Sequence, residues 1–321
     1  MYIRCAAYRE GRRIGDVGVE NVSELLAEPD TFVWVGLAEP DPNELLQLQE
    51  EFGLHELAVE DARSAHQRPK LEEYRGSLFL VLHTVELQDG EVRFGETHLF
   101  VGKPFLISIR HQSSLGYGRA RARCESMPQL LAKGSGFPLY AILDLIVDNF
   151  MPVVEHYQTL LEELEEDIFE SRSHRDAMAR LYGLKRSLLR LRNAAMPLLD
   201  VCNALMRLHP EIVPKDLRVY FRDVLDHVHR IIRATDTMRE TLSDAMQVNL
   251  ALITVRQNEV VKRLAGWGAI LALPTMVFSM YGMNFRFMPE LDSPFGYPAA
   301  LAGTLIGCVW LYRRLKRAEW L

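Results

Sequence analysis

Two long uncharged runs near the C-terminus constrain this chain more than anything else in it. Leu264 to Phe285 is 22 residues without a charge, and Ser293 to Tyr312 is another 20. A helix needs about 20 apolar residues to cross a hydrocarbon core of roughly 30 Å, so both runs have the length of a membrane span. Pro294, Gly296 and Pro298 favour a loop at the start of the second. Two buried core helices would be the soluble alternative, and two such runs so close together argue against it. Lys262 and Arg263 precede the first run, and Arg313, Arg314, Lys316 and Arg317 follow the second. The connector carries only Arg286 among basic residues, with Glu290 and Asp292. Positive-inside counting therefore predicts a multi-pass protein with both termini in the cytoplasm.

The rest of the chain is ordinary in composition. Its 321 residues suffice for one large domain or two smaller ones. A net charge of −6 argues against a nucleic-acid partner, and 48% hydrophobic residues argue against global disorder. Cys5, Cys124, Cys202 and Cys308 have neither disulfide-framework nor zinc-site spacing. Met1 to Gly18 has no apolar run of signal-peptide length, so the bulk is expected in the cytosol.

That bulk reads as α/β, followed by helices. Phe32 to Leu37 and Ser77 to Leu87 have strand composition. His98 to Val101 and Phe105 to Arg110 flank a Gly-Lys-Pro turn and predict a hairpin. Pro42 to Phe52 and Leu54 to Ala62 predict helices. From Leu139 the pattern is helical: Leu139 to Phe169, Arg175 to Leu208, then a long helix from Lys215, with Asn149 to Pro152 and Met196-Pro197 kinking the first two. No proline interrupts Lys215 to Leu273. One helix running to Tyr281 would have 67 residues and span about 100 Å. A helix of that length predicts a stalk, packed on copies of itself or on the preceding helices.

Steps of three and four along that helix pick out Asp244, Gln247, Ala251, Thr254, Asn258, Val261, Ala265, Gly268, Ala272, Thr275, Ser279 and Gly282. They form one heptad face, nearly all small or polar, while the bulky Trp267, Leu271, Phe278 and Met280 lie beside it. A small-residue packing seam is one reading. A water path is the other, and it accounts better for Gln247, Thr254 and Asn258. Two spans cannot enclose a path, so a pore requires a closed ring of subunits. Hydroxyls and amides without fixed charge suit a hydrated cation. Mg²⁺, which sheds its waters reluctantly, is the natural candidate, with Asn carbonyls accepting hydrogen bonds from those waters.

The connector begins Tyr-Gly-Met-Asn-Phe-Arg-Phe-Met-Pro-Glu-Leu from Tyr281. Gly-Met-Asn at the outer end of the first of two C-terminal spans, with the Met-Pro-Glu-Leu loop, Phe295 to Pro298 and the basic Trp-Leu-ending tail, resembles the CorA family of magnesium transporters. The resemblance runs along the whole chain and is weakest in the first 50 residues. It implies an α+β membrane protein of seven parts. These are a cytosolic α/β domain (1–138), an antiparallel helical pair (139–212), the cytosolic stalk helix (213–263), a first span (264–283), an external loop (284–296), a second span (297–312) and a basic cytosolic tail (313–321).

The resemblance further implies a homopentamer in the inner membrane that admits Mg²⁺, with Co²⁺ and Ni²⁺ as further cargo. Gly282, Met283 and Asn284 would form the selectivity filter. Asn258, Val261, Leu264, Ala265, Gly268, Ala272, Thr275 and Ser279 would line the pore, Val261 and Leu264 as its apolar gate. Cytosolic Mg²⁺ would bridge carboxylates and hold the channel shut. Glu60, Asp61 and Asp223 are the matching candidates, with Asp144 and Asp148 of second rank; unaided, all five read as ordinary solvated or paired carboxylates. Gln247 and Arg286 depart from acidic residues common in the family, which leaves Glu290 and Asp292 to focus cations at the outer mouth.

A zinc transporter of the same superfamily usually carries Gly-Val-Asn, so Met283 counts against it. A non-transporting membrane-anchored scaffold would be expected to carry Leu or Ile along the stripe. No phosphate loop, HExxH or GxSxG points to an enzyme. His227 and His229, at i and i+2, do not face each other on a helix and read as surface or interface residues. The acidic run Glu162 to Asp167 reads as a solvated helix face, and Arg119, Arg121 and Arg123 as partners in internal pairing.

Overall fold

The computed structural model describes residues 4–74, 76–170, 174–284, 288 and 293–321, with side chains at all of these except 168–170, 174, 175 and 177. It divides into two units, Met1–Ser243 and Asp244–Leu321.

The first unit is built on a seven-stranded mixed sheet. Its strands are β1 (Arg4–Arg9), β2 (Arg12–Asp16), β3 (Thr31–Ala38), β4 (Lys70–Tyr74), β5 (Ser77–Gln88), β6 (Glu91–Gly102) and β7 (Phe105–His111), in the order β2-β1-β3-β7-β6-β5-β4. Only β3 and β7 pair in parallel. These two run through the middle of the sheet and are buried on both faces, which is why they read as near-continuous apolar runs. The expected β6–β7 hairpin closes with Gly102 opposite Phe105, so only Lys103 and Pro104 turn the chain.

One face of the sheet is covered by α1 (Val22–Leu26), α2 (Pro42–Phe52) and α3 (Glu56–Ala62), whose Leu45, Leu48, Ala58, Val59 and Ala62 pack on Val33, Val35, Phe79, Phe100 and Ile107. Local chemistry sets the bounds of α2. Asp41 accepts from the backbone N–H groups of Asn43 and Glu44, Glu44 accepts from that of Asp41, and Pro42 occupies the first turn. Gly53 ends it in the left-handed region, at φ 62°. The chain then enters α3 with His55 as its cap, so α3 starts at Glu56 rather than at the expected Leu54.

The other helices of this unit are α4 (Gly118–Glu125), α5 (Pro128–Leu131), α6 (Gly136–Asp148), α7 (Phe150–Glu170), α8 (His174–Leu208) and the start of α9 (Arg218–Tyr281). The run expected as one kinked helix from Leu139 to Phe169 is two. The chain breaks at Asn149, whose side-chain amide donates to Leu145 O at 2.7 Å. Pro197 is accommodated inside α8. α9 starts three residues later than expected, because Pro214 to Leu217 form a turn. Among the described residues, two stretches are long and apolar enough to cross a membrane by length and composition. The apolar stretch that begins at Gly136 is 72% buried within the protein, whereas that of α9 is 6% buried.

The second unit holds the rest of α9 and α10 (Gly296–Arg317). α10 begins at Gly296, after the loop that Pro294 favours, and continues beyond Tyr312 through its four basic residues. It packs along one face of α9. Cys308 Sγ donates to Ile270 O at 3.8 Å, and the Trp267 and Tyr312 rings lie 6.4 Å apart. A Cβ on Gly307 would stand 3.4 Å from Leu273, and one on Gly266 would meet the Leu321 side chain at 3.2 Å. Gly266 is therefore the point of close approach for the C-terminal residues.

Candidate functional site

Helical geometry divides the second unit's part of α9 into two faces. At 3.6 residues per turn, Gly266, Ile270, Leu273 and Val277 share the face toward α10. The stripe from Asn258 to Gly282 lies roughly 150° round the axis from it. Asn258, Val261, Ala265, Gly268, Ala272, Thr275, Ser279 and Gly282 are all exposed within the chain, as is Leu264 at 73%. Thr254 and Thr275 donate their hydroxyl hydrogens back to Leu250 O and Leu271 O, at 3.0 and 2.8 Å. That spends the donor and leaves oxygen lone pairs free to accept, which is what the waters of a hydrated cation require. α9 ends at Tyr281, where Gly282 N still bonds to Phe278 O at 3.0 Å. Met283 and Asn284 follow in the open, exposed. Arg286, Glu290 and Asp292, the residues expected to shape the field at the outer mouth, lie outside the described residues, as does most of the Met-Pro-Glu-Leu segment.

A second constellation lies in the first unit. Asp144 and Asp148 are four residues apart on α6, and Asp223 and His227 are four apart on α9. Each pair shares one helix face, and the two faces meet. Ligand atoms of Asp144, Asp223 and His227 all lie within 4.8 Å of one another, and His227 Nδ1 is 3.8 Å from Asp148. Asp144 is buried and receives the Arg123 guanidinium, which also donates to Tyr140 Oη at 2.5 Å. Desolvation, and after it the charge of Asp144, hold the Asp148 carboxyl above its ordinary value. The donor set fits a divalent ion. Mg²⁺ takes oxygen ligands, often one or two carboxylates with several retained waters, and Asp144 and Asp223 supply that number. An imidazole in reach also suits transition metals such as Ni²⁺ and Zn²⁺.

Glu60 and Asp61 stand apart from this group. Both are on α3. Glu60 is exposed, and Asp61 accepts from Lys70 Nζ at 2.7 Å. A partly exposed pair of this kind contributes about 0–1 kcal/mol, too little to keep Asp61 from another cation. Within one chain, Asp61 and Asp223 do not form a common group among the described residues.

A family profile described as "CorA-like Mg2+ transporter protein" matches residues 29–317. The chain belongs to that CorA-like family. It is 30% identical to the cobalt/magnesium transport protein CorA of Thermotoga maritima, covering 97% of this chain and 90% of that protein. It is 27% identical to the magnesium transport protein CorA of Escherichia coli, covering 97% and 98%. The solved CorA magnesium transporter of Methanocaldococcus jannaschii has the same fold along its whole length, with a TM-score of 0.81 at 21% identity and full coverage of both chains.

For this CorA-family chain, the sequence reading misses one member of the constellation, His227, whose informative neighbour is Asp223 at i−4 rather than His229 at i+2. Arg123 forms the internal pair expected of it, with Asp144. The signal available was the repeated i, i+4 spacing of ligand-type residues on two helices.

Proposed function

We propose that this chain is one subunit of a homo-oligomeric channel that carries Mg²⁺, and Co²⁺ with it, into the cytosol. The observation that supports this most is the face of α9 turned away from α10. It is small, polar, exposed and free of fixed charge from Asn258 to Gly282, and it ends at Gly-Met-Asn. Copies arranged about an axis would line a water path with acceptor oxygens, and a ring of Asn284 carboxamides would be its selective end. The names of the relatives support magnesium and cobalt as cargo.

In this reading the chain crosses the membrane over 264–283, as α9 and the two residues after its end, and again over 297–312 within α10, in the inner membrane, with 284–296 outside and both termini in the cytoplasm. The ring is a pentamer, as the family resemblance implies. The parts before the membrane keep the bounds 1–138, 139–212 and 213–263, and 313–321 is the tail. Val261 and Leu264 form the gate. Asp144, Asp148 and Asp223 hold cytosolic Mg²⁺ in the regulatory state, while Glu60 and Asp61 act across to a neighbouring subunit. Ion binding that is tighter in the closed ring shifts the ring toward closure.

The test is ion uptake into proteoliposomes by stopped flow, comparing Mg²⁺, Co²⁺, Ni²⁺ and Zn²⁺. Uptake of Mg²⁺ and Co²⁺ well above that of Zn²⁺ supports the reading. Zn²⁺ uptake exceeding both would make the protein a zinc transporter, and no uptake of any ion would make it a scaffold.

A further inference from the structure

A cavity of about 280 Å³ lies on the sheet face opposite α2 and α3. Its floor is Trp34 of β3 with Ser108 and Arg110 of β7, and its roof is the Gly116–Gly118 turn and Arg121 of α4. The side chains alternate along each strand, so these floor residues face away from the Val33, Val35, Ile107 and Ile109 core. No acidic residue lines the cavity, and two arginines do.

Arg110 and Arg121 are half-buried residues, and each guanidinium is anchored by one backbone carbonyl. Arg110 donates to Leu115 O at 3.0 Å, and Arg121 to Trp34 O at 3.3 Å, with its guanidinium 5.1 Å from the Trp34 ring centre. Each guanidinium has five N–H donors, so most remain uncommitted. The neutral groups of the wall are already satisfied. Ser108 Oγ donates to Val35 O at 3.1 Å, and Tyr117 Oη bonds Thr97 Oγ1. Among the described residues, no carboxylate lies within ion-pair distance of Arg110 or Arg121. Arg123, two positions on, is by contrast paired with Asp144. Two like charges partly withdrawn from water on one cavity are unfavourable unless a counter-charge joins them. A guanidinium fork matches the oxygens of a phosphate or carboxylate group. The volume lies just below the roughly 300 Å³ at which pockets for drug-sized ligands begin.

We propose that this cavity binds a small oxyanion, a phosphate group, through Arg110 and Arg121. The site is on the cytosolic α/β unit, and the proposal does not depend on the channel reading. A phosphate group could arrive free or as part of a phosphomonoester, and both would use the same two forks.

The test is equilibrium dialysis of the full chain in detergent against radiolabelled inorganic phosphate, at constant ionic strength in chloride. One saturable site per chain is expected, weakened at least tenfold in the Arg110→Gln/Arg121→Gln double variant. Competition by adenosine monophosphate at lower concentration than by unlabelled phosphate identifies the phosphomonoester as the ligand. Weaker competition identifies free phosphate. Absence of saturable binding to the wild type, or equal binding by the folded double variant, overturns the proposal. Should the double variant fail to fold, phenylglyoxal labelling of the wild type read by mass spectrometry decides. Phosphate must slow labelling of Arg110 and Arg121 selectively, and unchanged labelling of both rejects the site.

Discussion

Arg123 on α4 pairs with Asp144 on α6, and the pair sets the charge that meets the Asp223–His227 face of α9. Asp148 lies in the field of Asp144, His227, Arg123 and Asp223. Three carboxylates and one guanidinium leave these four groups at −2, which one divalent cation neutralises. Without Arg123 the buried Asp144 carboxylate would add to the repulsion, and without the carboxylates the arginine would keep only Tyr140 as a partner. This is the charge balance that the proposed uptake and release of a divalent ion requires.

Replacing the ion by a fixed charge tests that arrangement. In Asp223→Lys an ammonium occupies the place proposed for Mg²⁺. The channel is expected to assemble and to need several-fold more internal Mg²⁺ for half-inhibition, or to lose inhibition. Current in excised patches, recorded while internal Mg²⁺ is titrated, reads this out. Superimposable inhibition curves for wild type, Asp223→Lys and Asp61→Lys would leave these residues as surface charges only.

Glu96 supplies a stability prediction with a defined pH dependence. It is buried on β6, and burial alone would raise its carboxyl. His98 and the backbone N–H groups of Gln67 and His66 outweigh that and hold it below its ordinary value. A lowered carboxylate stabilises the fold above its unfolded value, near 4.3, and this contribution is lost as pH falls through the folded value. Glu96→Gln keeps the shape and loses the charge. It should cost about 1–3 kcal/mol at pH 7, with the difference from wild type closing in acid. Denaturant unfolding of both proteins between pH 7 and 3 checks this, and a gap that widens toward acid would refute it.

The apolar narrowing proposed at Val261 and Leu264 blocks ions by excluding water. Leu264→Ser should therefore wet the constriction and raise leak conductance several-fold without changing ion preference. Single-channel recording at saturating internal Mg²⁺ is the measurement. An unchanged leak would place the gate elsewhere on α9.

The parts of the fold that were legible in the sequence are those where one physical pattern dominates. β3 and the β6–β7 hairpin could be read because central strands buried on both faces are continuously apolar. α2 could be read because its cap, its proline and its terminal glycine are all local. The edge strands β2 and β4 could not. Arg-Arg-Ile-Gly-Asp and Lys-Leu-Glu-Glu-Tyr are charged, as edges commonly are, and β4 is a strand only because β5 lies beside it. The stripe on α9 was legible because its spacing is the helical repeat itself. The meeting of Asp144 with Asp223 was not, since 79 residues separate them and only the packing of α6 against α9 unites them.

The most direct test of the channel reading is Mg²⁺ uptake by Asn284→Ala in proteoliposomes, compared with wild type at equal reconstituted protein and with oligomeric assembly verified by size. Asn284 follows the end of α9, exposed, and its carboxamide is the proposed acceptor for the waters of the entering ion. An assembled protein whose Mg²⁺ uptake is at least tenfold lower is expected. Wild-type uptake by an assembled Asn284→Ala protein would contradict the channel reading.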